Sequence, residues 1–64
     1  MALVEDIWTY VASQQPRVVS LRELARVFAP YPRGYLTQCC TRLVREARLV
    51  RVRNGYFRVA THDF

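Results

Sequence analysis

The sequence contains no lysine: all ten of its basic residues are arginine. Arginine presents a planar fork of donors that suits phosphate, guanine or carboxylate. A GC-rich genome gives the same absence, so it assigns no function by itself. Acids are scarce as well. Five Asp and Glu against ten Arg leave a net charge of +5 and a pI of about 10. That balance fits a nucleic acid, an anionic membrane or an acidic protein as partner.

Histidine occurs once, as His62, and cysteine only as the neighbours Cys39 and Cys40. Adjacent residues in a helix point about 100° apart, so these two are badly placed to bridge each other. Without a CxxC pair or a second histidine there is no zinc framework. Reduced thiols in a cytosolic protein are expected, with Cys40 in the core. No apolar run is long enough for a bilayer, and no basic stretch leads into an apolar one, so neither a span nor a signal peptide is expected. A glycine-rich phosphate loop is missing, and no nucleophile stands beside a base. An enzyme is therefore the least favoured reading, and no cofactor or metal is expected.

What is present is patterned for one small domain over residues 1–64. A chain of this size buries only about 60% of its unfolded surface, so it is marginal alone. The organising stretch runs from Leu36 to Val59, as a helix, a strand, Asn54-Gly55 and a second strand. Asn-Gly between two alternating runs predicts a hairpin with a type I′ turn. That turn sets Arg53 opposite Tyr56, Val52 opposite Phe57, Arg51 opposite Arg58 and Val50 opposite Val59. One face is then apolar (Val50, Val52, Phe57, Val59) and the other carries Arg51, Arg53, Tyr56 and Arg58. Like charges directly opposite each other are destabilising. A polyanion needs such a face and a fold does not, although charged edges are also ordinary protection against aggregation.

Upstream, residues 2–14 read as a helix, with Leu3, Val4, Ile7, Trp8, Tyr10 and Val11 on one broad face. Glu5 and Asp6 suit its N-terminal dipole. Gln15-Pro16 ends it. Arg17-Val18-Val19 is a short extended piece able to pair with the hairpin edge. Ser20-Leu21-Arg22-Glu23 matches a capping box, in which Ser20 accepts from the Glu23 amide and the Glu23 carboxylate reaches back. Leu21, Leu24, Ala25 and Phe28 form the buried face of that second helix, and Arg22 and Arg26 point away from it. Ala29-Pro30-Tyr31-Pro32 is a turn, with Pro32 suited to the first position of the third helix.

Helix three is expected from residue 33 or 35 to about Ala47, with Leu36, Cys40, Leu43, Val44 and Ala47 in the core. Its opposite face carries Gln38, Thr41, Arg42 and Arg45, with Tyr35 and Thr37 at the margins. Glutamine, threonine and arginine together form a kit for reading base edges and gripping phosphate, though any surface helix has a polar face. The tail holds His62, read as solvated, and Phe64, which either covers the core or meets another chain.

The order of helix, short strand, helix, turn, helix and hairpin resembles a winged helix-turn-helix domain. Ser20-Leu21-Arg22-Glu23-Leu24-Ala25 looks like the opening of the first helix of the pair. Leu36 through Leu43-Val44-Arg45-Glu46-Ala47-Arg48-Leu49-Val50-Arg51 is similar to a recognition helix running into a wing. Asn54-Gly55-Tyr56-Phe57-Arg58-Val59 resembles the wing tip and return strand. The family often has glycine where this chain has Ala47 or Arg48, and the proline-rich turn is longer than the tightest of its turns.

The resemblance implies an α+β fold of three helices, a short strand and a C-terminal β-hairpin wing. It implies a small regulator of phage or plasmid type that binds double-stranded DNA in the cytoplasm of a bacterial or phage-infected cell. The recognition helix, about 33–47, would enter the major groove with Gln38, Thr41, Arg42 and Arg45. Arg33 would take a phosphate, and Arg51, Arg53 and Arg58 of the wing (49–60) would hold the backbone or a minor groove. So short a chain reads a short site, so a homodimer or cooperative assembly is expected. The alternative is a protein-binding winged helix, an inhibitor or complex subunit, that presents the same basic surface to an acidic partner.

Overall fold

Apolar residues recurring at helical spacing build α1 over Leu3–Ser13, where Ile7 and Val11 are fully buried. The computed structural model describes residues 3–60, so the expectations for His62 and Phe64 lie outside the described residues. After α1 come β1 (Val19–Ser20), α2 (Leu21–Val27), α3 (Arg33–Arg45), β2 (Leu49–Arg53) and β3 (Tyr56–Val59). The strands form one antiparallel sheet in the order β1-β3-β2. The protein is thus an α+β fold of three helices and a three-stranded sheet.

The core lies between the helices and one face of the sheet. Leu24 of α2 and Leu36, Cys39, Cys40 and Leu43 of α3 meet Val19, Leu49, Phe57 and Val59 of the sheet in a single buried cluster with Ile7 and Val11. Fully burying a leucine is worth about 2 kcal/mol. Total stability for a chain of this length is roughly 3–10 kcal/mol. Each of these leucines therefore carries a large share of the margin.

The start of α2 is set by Ser20. Its backbone is extended and its hydroxyl accepts from the Glu23 amide at 3.0 Å. The other half of the expected capping box is not made. The Glu23 carboxylate instead takes two bonds from Arg17, at 2.8 and 2.6 Å, and one from the Tyr10 hydroxyl. A charged fork outcompetes a return bond to a backbone amide. Glu23 thereby ties α2 to α1 and to the segment between them.

Helix α3 begins at Arg33, with Pro32 as the extended residue just before it. It stops earlier than expected, at Arg45, with Glu46 as cap. Ala47 then adopts a left-handed conformation, φ 61°. The Arg48 amide donates to the Leu43 carbonyl at 2.9 Å and the Ala47 amide to Val44 at 3.0 Å, the paired bonds of a Schellman motif. Ala47 is exposed rather than core, because its left-handed turn carries the chain out of the helix. Cys39 is buried in its place on the helix, together with Cys40.

The hairpin forms where Asn54-Gly55 predicts it, but its detail differs. Gly55 has a positive φ of 83° and Asn54 does not, so the turn is not the type I′ that needs positive φ at both central residues. A bulge follows at once: Arg53 pairs with Tyr56, but Arg51 pairs with Phe57, leaving Val52 as the extra residue. Bulges add local twist to the strands they interrupt.

The shift moves every residue before the bulge. Leu49 stands opposite Val59 and Val50 opposite Arg58. Leu49, not Val50 or Val52, is thus the core residue of β2, and Val52 is 46% exposed. Arg51 stands opposite Phe57, not Arg58, so the expected directly opposed pair of like charges is not formed.

Candidate nucleic-acid interface

The ten arginines divide by whether a carboxylate meets them. Arg17 is held by Glu23, Arg42 by Glu46 and Arg48 by Glu5. The other seven, Arg22, Arg26, Arg33, Arg45, Arg51, Arg53 and Arg58, have no carboxylate within ion-pair distance among the described residues.

Two of the paired arginines are structural. Arg48 donates twice to Glu5, at 2.6 and 2.9 Å, and its guanidinium lies 5.2 Å from the Trp8 ring centre. Its carbonyl accepts from the Trp8 indole at 3.2 Å and from the Ala60 amide at 3.0 Å. Arg48 therefore fastens the root of the hairpin to α1. Its fork holds the Glu5 carboxyl below the usual range. The Arg17 fork, with the Tyr10 hydroxyl, holds Glu23 down at about 2. The same bond from Tyr10 to Glu23 pushes the tyrosine up.

Helix α3 presents the predicted polar face. Tyr35, Gln38, Arg42 and Arg45 are exposed at spacings of three and four residues, and Thr41 is half-buried beside them. Thr37, Gln38, Thr41, Arg42 and Arg45 line one shallow depression. Arg42 belongs to this face, yet its Nε donates to Glu46 at 3.0 Å one turn on. Arg45 carries the unopposed charge here. Tyr35 also touches Tyr31 in the preceding turn, with ring centres 6.0 Å apart.

Arg33 does not share that depression. It lines a notch with Ser20, Arg22, Asn54 and Tyr56. The notch exists because β1 runs into α2 alongside the start of β3, so that the Leu21 amide donates to the Gly55 carbonyl at 2.8 Å. The hairpin turn is thereby pinned to the start of α2. Arg53 adds its charge nearby, with its guanidinium 5.3 Å from the Tyr56 ring centre.

The sequence places Arg22 only on the solvent-facing side of its helix. No sequence signal marks it for the notch, because the notch depends on strand pairing across more than thirty residues.

Arg51 and Arg58 form a third group. They line a groove with Val44, Ala47, Val50 and Ala60, beneath the end of α3. Arg51 also lies 5.9 Å from the Phe57 ring centre, and Arg58 donates to the Val59 carbonyl at 3.3 Å. The eight residues singled out from sequence thus fall into three places: the α3 depression, the notch and the sheet groove.

Both cysteines are free and buried. Burial pushes the Cys40 thiol up to about 11 and raises Cys39 too. They are consequently protonated and poor nucleophiles. Among the described residues no cluster of His, Cys, Asp and Glu could hold a metal ion, and no helix is long and apolar enough to cross a membrane. Comparison with protein-family models, with curated proteins and with solved structures finds no match for this chain.

Proposed function

We propose that the chain is a small winged helix-turn-helix protein that binds double-stranded DNA and acts as a transcriptional regulator. The observation that carries the reading is the set of seven arginines without carboxylate partners among the described residues, on α2, α3 and the hairpin, in a chain that does pair Arg17 and Arg48. Guanidinium groups not neutralised by carboxylates, spread over an exposed helix face and the hairpin beside it, are what a polyanion needs.

The element order and the β1-β3-β2 sheet support the winged-helix part of the reading. In it, α3 enters the major groove. Arg45 and Gln38 read base edges, and Thr41 assists at phosphate or base. Arg33, Arg22 and Arg53 at the notch take backbone phosphates, with Arg51 and Arg58 contributing to the surrounding field. One copy covers a short site, so two copies on adjacent half-sites give the affinity a regulator requires.

Fluorescence anisotropy of the protein against a mixed-sequence duplex, titrated across salt, tests this. The expected result is binding whose logarithm falls linearly with the logarithm of salt, with a slope of about −0.9 per phosphate contacted. No binding at low salt would sink the reading and turn attention to an acidic protein partner.

A further inference from the structure

We propose that the Tyr31–Tyr35 ring pair stacks an unpaired base, so that the protein prefers a duplex carrying a single-stranded extension over a blunt one. This rests on α3 being the nucleic-acid face. Tyr31 and Tyr35 are 47% and 48% exposed, with ring centres 6.0 Å apart and planes tilted by 36°. Two tyrosine rings half in water, in contact only with each other among the described aromatic side chains, are not the seal of a core. Tyr10 and Phe28, by contrast, meet edge-on and are half-buried against the core.

Position decides what the pair could hold. Tyr35, Gln38, Arg42 and Arg45 follow one another along a single stripe of α3, aromatic at its start and cationic at its end. Arg33, without a carboxylate partner among the described residues, sits between the two tyrosines in sequence. No acid lies in the first turn of α3. An acidic or apolar protein surface would match only one half of this stripe. Nucleic acid matches both halves, with phosphates on the arginines and a base on the rings.

Within nucleic acid, the ring faces need a base whose own face is open. A base inside a duplex is covered on both sides, and its edge offers hydrogen bonds that a ring face does not make. An unpaired base beside the duplex presents a full π-face, and aromatic stacking of this kind is tolerant of sequence.

The experiment compares a blunt duplex with the same duplex bearing a three-nucleotide 3′ or 5′ extension. The first extended base is replaced by 2-aminopurine, whose fluorescence falls on stacking. The extended duplex of one polarity should bind about tenfold tighter and show quenching. Tyr35→Ala and Tyr31→Ala should remove both the preference and the quenching, so that extended and blunt duplexes bind equally. Tyr35→Phe should retain both, and circular dichroism confirms that the variants fold.

Equal affinity for blunt and extended duplexes, with a steep salt slope on each, would overturn the stacking proposal and leave the duplex reading standing. Absence of binding to every probe at low salt would overturn both. Self-association abolished by Tyr35→Ala, without any preference for the extension, would assign the rings to a second copy of the chain instead.

Discussion

Arg45 and Arg48 stand three residues apart at the end of α3, and they do opposite work. Arg48 turns back onto α1, grips Glu5 with both nitrogens and covers Trp8. Arg45 touches no carboxylate among the described residues and faces the open depression of α3. What separates them is the left-handed turn at Ala47, which reverses the chain between them. In a chain whose cations are all arginine, the residue type cannot reveal which are fastenings and which are free. The placement of the carboxylates decides it, with Glu23 taking Arg17 and Glu5 taking Arg48.

The comparison breaks if the two can be exchanged. Arg45→Ala should leave the thermal midpoint nearly unchanged and lower affinity for a selected duplex about tenfold or more, with relaxed base preference. Arg48→Ala should do the reverse, lowering the midpoint while the folded protein binds as before. Arg53→Ala should weaken all sequences alike and reduce the salt slope by about one. A loss of midpoint from Arg45→Ala, measured by circular dichroism, would falsify the division.

The paired side has its own signature in pH. Glu23 is held at about 2 in the folded chain against an ordinary value of 4.5. A lowered carboxyl contributes stability that is complete above 4.5 and is lost as pH falls towards 2. Thermal melts from pH 7 to pH 2 should therefore show the midpoint falling in that window. Glu23→Gln should start lower at pH 7 and fall less steeply. Some slope should persist, since Glu5 is lowered in the same direction by Arg48. An unchanged slope in the variant would remove Glu23 from the role given to it here.

A smaller effect tests the turn between the two arginines. Ala47 holds φ 61° without being glycine. A left-handed non-glycine residue costs roughly 1–2 kcal/mol, partly offset by the freedom glycine gains in the unfolded chain. Ala47→Gly should then stabilise by about 0.5–1 kcal/mol, seen as a higher urea midpoint at constant slope. Ala47→Val should destabilise, because a β-branched residue tolerates positive φ worst.

This turn also marks the limit of what the sequence discloses. The helix count, the Ser20 cap, the hairpin at Asn54-Gly55 and the polar stripe of α3 are all legible, because each is a local pattern. The early stop of α3 is not, since alanine gives no sign of a left-handed residue. Nor is the bulge at Val52, which answers the demand for Leu49 in the core. Glu23 reads as half a capping box because its competing partners, Arg17 and Tyr10, are remote in sequence. Of the site, the α3 face can be read from helical spacing. The notch that joins Arg22 to Arg33 cannot, because it is made by strands brought together from the two ends of the chain.

Arg42 is the case between Arg45 and Arg48. It lies on the α3 stripe, 67% exposed, but Glu46 one turn on accepts from its Nε. An exposed pair at this spacing is worth only a few tenths of a kcal/mol, so a phosphate can take Arg42 from Glu46 at small cost. Glu46 also adds a negative charge close to that phosphate. Arg42→Ala should therefore weaken duplex binding less than Arg45→Ala does. Glu46→Gln should tighten it about twofold to threefold at low salt, and the gain should shrink as salt rises. If Glu46→Gln instead weakens binding, the carboxylate is orienting Arg42 for its contact, and Arg42 belongs with the fastened arginines rather than the free ones.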